Sequence, residues 1–289
     1  MGARLTATAA AIALGLLALT PARAEPAMWV ARDDDTTIYL VGTIHLLKPG
    51  LAWEGERTSR VLDRCDDLTL EIADFDDLAA IAPLVGKHGY DPGRQLSSLL
   101  TAEENDRLRR AAAAAGLSPD VLEPMKPWLA AVTQTMAPLQ QAGFDSGAGV
   151  ETRLSEGVRA RGRPVRGLET AESQVMMLAG LSEAAQLEYL RDAIRESDGA
   201  PVELERMAVA WAAGETAEVD RVVNRDMARQ SPGLYKAMFT DRNAAFARQI
   251  KDMMAEKGAR CVAVGAGHLT GADSVQAQLK TLGVETERY

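Results

Sequence analysis

The stretch IYLVGTIHLLKPG, residues 38–50, is an apolar, β-branched run that breaks at Gly42 and then presents His45. Near the other end of the chain, CVAVGAGHLTG, residues 261–271, repeats the pattern with Gly265 and His268. The chain has only three histidines, and these two share a glycine three positions before and a leucine one position after. Short apolar runs bounded by turn residues read as strands. Ligands of α/β sheets bind beyond the C-terminal strand ends. The two glycines read as tight turns free of a Cβ clash. Either histidine alone reads equally as a satisfied strand cap; together they suggest two strands delivering two imidazoles to one place.

Working outward, AMWVAR and TTIYLVG flank the acidic turn Asp33-Asp34-Asp35, as in a hairpin. WEGERTSRVLDRC reads as a short helix and LTLEIA as a buried strand ending near Glu71. The middle of the chain is helical. Thr101 with Glu104 forms a capping box, closed by Gly116. Leu204, Met207, Ala208 and Trp211 fall on one helix face, and the methionines here read as core filler. Both SPDVLEPM and SPGLYKAMF open with the Ser-Pro pair of a helix start. In RGRPVRGLET a short strand around Val165 is expected to end at Gly167, with Glu169 opening the next helix. The C-terminus reads strand (RCVAVGA), helix (DSVQAQLKTLG), strand (VETERY). This pattern predicts one α/β domain over residues 25–289 with a large helical middle region.

Residues 1–24 carry Arg4, an apolar run from Leu5 to about Leu19, and Ala22-Arg23-Ala24. This reads as a secretory signal peptide cleaved after Ala24, which places the mature chain in the periplasm or outside the cell. No other stretch is apolar enough to span a bilayer, so no stable membrane insertion is expected after cleavage. The formal charge is −9 and no basic cluster stands out, which argues against nucleic acid as a partner. Cys65 and Cys261 each precede a predicted strand. In an oxidising compartment an even count suggests a disulfide, but two separate buried thiols fit the sequence equally.

Carboxylates recur at comparable places. Glu71 ends its strand, Glu169 follows a glycine-bounded one, and Glu151 lies where the Gly-rich SGAGVETRL enters a helix. Converging ionised carboxylates repel, and the remedies are a bound cation, an arginine, or one neutral carboxyl. Arg242 is the candidate arginine, although spacing alone reads it as a helix-surface residue. His88, in GKHGYDPG, reads as a surface-loop residue.

LVGTIHLL, LTLEIAD, GVETRL, RPVRGLET, DRN and AVGAGHLTG, in this order, resemble the TraB/GumN family, which includes the Tiki metalloproteases. The resemblance covers nearly all of residues 25–289. It implies an erythromycin esterase/ChaN-like fold: a central mixed β-sheet of two related halves surrounded by helices. It also implies a metal-dependent peptidase using manganese or cobalt, with zinc as an alternative. Carried over by motif, His45, Glu71, Glu169 and His268 would line the cleft, with Arg242 nearby. Glu151 departs from the family's aspartate at that place.

The leading expectation is a metal-dependent hydrolase acting on a peptide or another small substrate. His45 and His268 bind the metal with Glu71, Glu169 or Glu151; Glu71 or Glu169 is general base, and Arg242 stabilises the oxyanion. The alternatives are a metal-independent esterase-like hydrolase, with histidine as base oriented by glutamate, and a non-catalytic periplasmic protein binding metal, haem or peptide. The oligomeric state is left open.

Overall fold

A computed structural model describes residues 25–289; the expected leader and its cleavage point lie outside the described residues. Strand β1 (Met28–Arg32) and strand β2 (Thr36–Thr43) pair antiparallel, with Val30 opposite Tyr39. The acidic turn closes on itself: Asp33 Oδ1 accepts from the Thr36 amide at 2.8 Å. Strand β3 (Asp67–Ile72), strand β4 (Val165–Glu169) and strand β5 (Gly258–Gly265) complete a parallel core, and strand β6 (Glu287–Arg288) lies against β1. The order across the sheet is β4-β3-β5-β2-β1-β6. This is the expected α/β fold, a mixed sheet surrounded by helices. Strands from the two chain ends interleave in it, because β5 inserts between β3 and β2.

Two-sided burial explains the continuous apolar runs. Tyr39, Val41, Leu70 and Ala263 face one core with the helices Glu56–Arg64, Val150–Ala160 and Ala200–Ala212. Ile38, Leu40, Val262 and Val264 face another with the helices Asp241–Met253 and Val275–Thr281. A third cluster, including Leu108, Ala130 and Leu190, holds the helical middle together.

The structure decides the cysteines: Cys65 and Cys261 form a disulfide, with Cα atoms 5.6 Å apart. Cys65 precedes β3, but Cys261 lies inside β5 opposite Leu68. Strand β4 runs two residues past Gly167, so Glu169 is its last residue, and Thr170 caps the helix Ala171–Ala179. Glu169 therefore does not open a helix. His88 sits in the last turn of the helix Leu78–Gly89, not in a loop. SPDVLEPM makes only a single 3₁₀ turn, Pro119–Val121.

Candidate active site at the strand ends

Because β4, β3, β5 and β2 run parallel, their C-terminal ends share one edge. Glu169 ends β4, Glu71 is next to last in β3, and His268 and His45 follow β5 and β2. The register pairs Thr43 with Gly265 and Ile72 with Glu169, which brings both Gly-x-x-His turns and both glutamates together.

Neither motif glycine has positive φ, so neither serves as the tight turn expected of it. They give room instead. A Cβ on Gly42 would lie 3.3 Å from Ala266 Cα, so the two turns pack against each other there. A Cβ on Gly265 would lie 3.2 Å from Glu71 Oε1, 3.5 Å from His268 Cδ2 and 3.8 Å from His45 Nε2. Three functional side chains thus converge over the bare face of one glycine.

His45 is anchored from outside the sheet. The Val150 amide donates to the Ile44 carbonyl at 3.1 Å, and Gly149 packs so closely that a Cβ there would sit 2.3 Å from the His45 carbonyl oxygen. This contact sets Glu151, in the first turn of the next helix, beside the imidazole: Oε1 lies 2.7 Å from His45 Nδ1. The Glu151 carboxylate raises the His45 pKa to about 9, chiefly by its charge. The imidazole is otherwise open, with its side chain 66% exposed, and Nε2 is turned toward Gly265.

Arg242, read from spacing as a surface residue, is instead the centre of the floor. Its Nε donates to Glu169 Oε1 at 2.9 Å, and Nη2 donates to Glu71 Oε2 at 2.5 Å and Glu169 Oε2 at 2.8 Å. Nη1 donates to the Met238 carbonyl at 3.1 Å and meets His268 Nε2 at 3.1 Å. All five guanidinium N–H groups are spent. Gln174 Nε2 donates to both Glu71 and Glu169 from the other side. Burial opposes the charge on Glu71, but His268, Arg242, His45 and the Gly265 amide (2.6 Å) outweigh it and hold the carboxyl well below the usual range. With His268 neutral near pH 7, Arg242 and the protonated His45 are the standing positive charges that do this.

His268 is only 4% exposed, enclosed by the Phe239 and Phe246 rings. Burial lowers its pKa to about 4, which keeps it neutral. Its Nδ1 lies 2.5 Å from Asn243 Oδ1, and Asn243 Nδ2 donates to the Asp273 carbonyl at 2.8 Å. That second bond fixes the amide, so the imidazole proton sits on Nδ1 and the Nε2 lone pair accepts from Arg242. Asn224, in the π-helical turn Arg221–Arg225, donates to the carbonyls of Gly267 and Thr270 and so braces the His268 turn. A second π-helical turn, Lys236–Thr240, supplies Met238 and Phe239. Such turns recur at functional sites.

Sequence reasoning missed Gln174, Asn224 and the role of Asn243. The Asp-Arg-Asn run was the only signal for the last. Gln174 lies five residues after Glu169 and becomes recognisable once β4 is extended through that glutamate.

The donor set, as placed, does not fit a divalent ion. Glu71 Oε2, both Glu169 oxygens and His268 Nε2 are all turned to Arg242. Among the described residues, no three His, Cys, Asp or Glu side chains are grouped as metal ligands. Of the three remedies for clustered carboxylates, this fold uses the arginine.

A cleft of about 510 Å³ opens above this floor, with His45, Glu71, Arg242 and His268 at its base. The fold and site together define an α/β protein with paired histidine turns and glutamates at the C-terminal edge of its sheet. The chain belongs to the TraB/PrgY/gumN family, whose profile matches residues 27–288. It is similar to an uncharacterized protein of Treponema pallidum (strain Nichols), at 24% identity over 264 residues, 87% of this chain and 79% of the relative. It is also similar to the uncharacterized protein YbaP of Escherichia coli (strain K12), at 24% identity over 255 residues, 88% of this chain and 92% of the relative. No solved structure matches the chain.

Proposed function

We propose that the protein is a hydrolase in which His45, oriented by Glu151, activates water. One observation carries this reading. His45 has its Nδ1 side held by a carboxylate and its Nε2 edge open to the cleft, while Glu71, Glu169, Arg242 and His268 are bound to one another. A carboxylate on one imidazole nitrogen and a free second nitrogen is the arrangement of a histidine general base. Nε2 takes a proton from water as the oxygen bonds to the substrate's carbonyl carbon. The same proton then passes to the leaving oxygen or nitrogen as its bond to that carbon breaks, giving an acid and an alcohol or amine. Glu71, stabilised as an anion, is a poor proton acceptor. Arg242 has no spare donor for an oxyanion, and acts by holding both glutamates and His268 in place.

A second reading is favoured by the convergence of His45, Glu71 and His268 over Gly265: a manganese, cobalt or zinc ion bound after Arg242 withdraws, as expected of a metallopeptidase. The Cys65–Cys261 disulfide supports an oxidising compartment, in line with export to the periplasm or beyond.

The test is hydrolysis of chromogenic esters and peptides before and after exhaustive chelation. Activity that survives chelation and disappears in His45→Ala is expected. Activity lost on chelation and restored by Mn²⁺ or Co²⁺ would replace the first reading with the second.

A further inference from the structure

Above the polar floor, the walls of the cleft are hydrocarbon. Met136 and Leu139 come from the helix Pro127–Gln141, Leu204 and Met207 from the helix Ala200–Ala212, and Met238 and Phe239 from the turn Lys236–Thr240. Three methionines from three separate elements face one space. Their unbranched, polarisable side chains adapt to a flexible apolar ligand better than branched ones do.

The same cleft is poorly made for an extended peptide. Peptides commonly bind enzymes and receptors by adding to a sheet edge. Here β2 and β5, which carry the histidine turns, are interior strands paired on both sides. A peptide backbone laid among Met, Leu and Phe side chains would lose its hydrogen bonds to water without replacement.

We propose that the cleft selects a carboxylic ester whose acyl part is an unbranched hydrocarbon chain of medium length. The carbonyl sits on the floor beside His45 and the chain lies between Met136, Leu204, Met207 and Met238. The cutting of the ester rests on the hydrolytic reading above; the binding of the chain does not. In the reaction, the water oxygen bonds to the acyl carbon, the ester C–O bond breaks, and the alcohol leaves with the proton carried by His45.

The two parts are tested separately. Methyl ketones of increasing length, from 2-butanone to 2-decanone, carry the carbonyl and chain but have no ester bond. Calorimetric titration into the protein is expected to show affinity rising by up to about fourfold per added methylene, until the cleft is filled. Leu204→Trp and Met136→Trp, each in a half-buried wall position, should shorten the longest chain accepted, with circular dichroism confirming the fold. In parallel, p-nitrophenyl esters from acetate to decanoate should show the same length dependence in kcat/KM. Affinity independent of chain length, or unchanged by both tryptophan variants in folded protein, would overturn the cleft assignment. Length-dependent ketone binding without ester hydrolysis would retain the chain-binding site and overturn both the ester chemistry and the hydrolytic reading. Faster cleavage of peptides than of any acyl ester would overturn the choice of substrate class alone.

Discussion

His268 and Asn243 form a locked pair: the imidazole Nδ1 donates to Asn243 Oδ1 at 2.5 Å, and the amide's other end is held by the Asp273 carbonyl. Both residues are almost fully buried. Asn243→Ala leaves the Nδ1–H without an acceptor and should destabilise the protein by about 1–3 kcal/mol in urea unfolding. Asn243→Asp places a negative charge there instead. It should raise the His268 pKa from about 4, which imidazole NMR would detect.

Arg242 compensates two carboxylates at once. Arg242→Met leaves Glu71 and Glu169 facing each other without the cation that bonds to both, and should cost about 3–5 kcal/mol. The remaining pair should then take up a proton, so this variant should lose less of its stability than the parent protein when the pH is lowered. Arg242→Lys should rescue only partly, since an ammonium cannot span both glutamates as the planar fork does. Equal stability of the parent and the methionine variant would contradict the compensating role.

The two histidines predict opposite pH effects. His45 has its pKa raised to about 9. Its pairing with Glu151 therefore contributes stability in full below the unfolded value of about 6.5, and the contribution is lost as pH rises through about 9. His268 is depressed to about 4, so its burial in neutral form favours folding at higher pH and loses stability as pH falls from about 6.5 toward 4. If His45 is the base, kcat/KM should rise about tenfold per pH unit toward pH 9. In Glu151→Gln the midpoint should move down toward the ordinary histidine value. A profile flat between pH 6 and 9 would exclude His45 as base.

Gly149 is required where a loop meets the His45 backbone. Gly149→Ala introduces a Cβ at 2.3 Å from the His45 carbonyl oxygen and 2.8 Å from that of Ser146. Backbone must shift, and Glu151 shifts with it. On the proposed mechanism, kcat/KM should fall by roughly a hundredfold, since displacement of about an ångström has effects of that size. An unchanged pH profile with unchanged rate would show that the contact does not position the dyad.

The disulfide ties residues 196 positions apart. Cys65→Ser/Cys261→Ser should lose about 2–5 kcal/mol, measured against the parent in guanidinium under non-reducing conditions.

Much of the fold is legible locally. The hairpin around Asp33, the Thr101–Glu104 capping box and the apolar runs of β2, β3 and β5 are readable because each depends on residues a few positions apart. Four of the site's side chains, His45, His268, Glu71 and Glu169, are visible as polar residues beside apolar strands, and the structure brings them to one edge. Arg242 and Asn243 are harder to read, because a helix of mixed composition gives no sign of which turn faces a site whose residues lie 26 to 171 positions away in the chain. The end of β4 was misplaced at Gly167 for a related reason. Strand length there is set by pairing with β3, and Gly167 lies so close to the Ala73 amide that a Cβ would come within 2.9 Å of it.

The sequence by itself determined most of the strands and helices, His88, Pro119–Val121 and the end of β4 excepted, because hydrophobic period and capping chemistry are local. The tertiary structure alone decided the sheet order, the Cys65–Cys261 bond and the environment of each imidazole. Sheet order places β5 between β2 and β3, and that single choice sets Glu71 against Gly265 and His268. It also decided that the carboxylates are neutralised by Arg242. Charge compensation depends on distances of 3 Å between groups far apart in the chain, and no spacing along the chain encodes such distances.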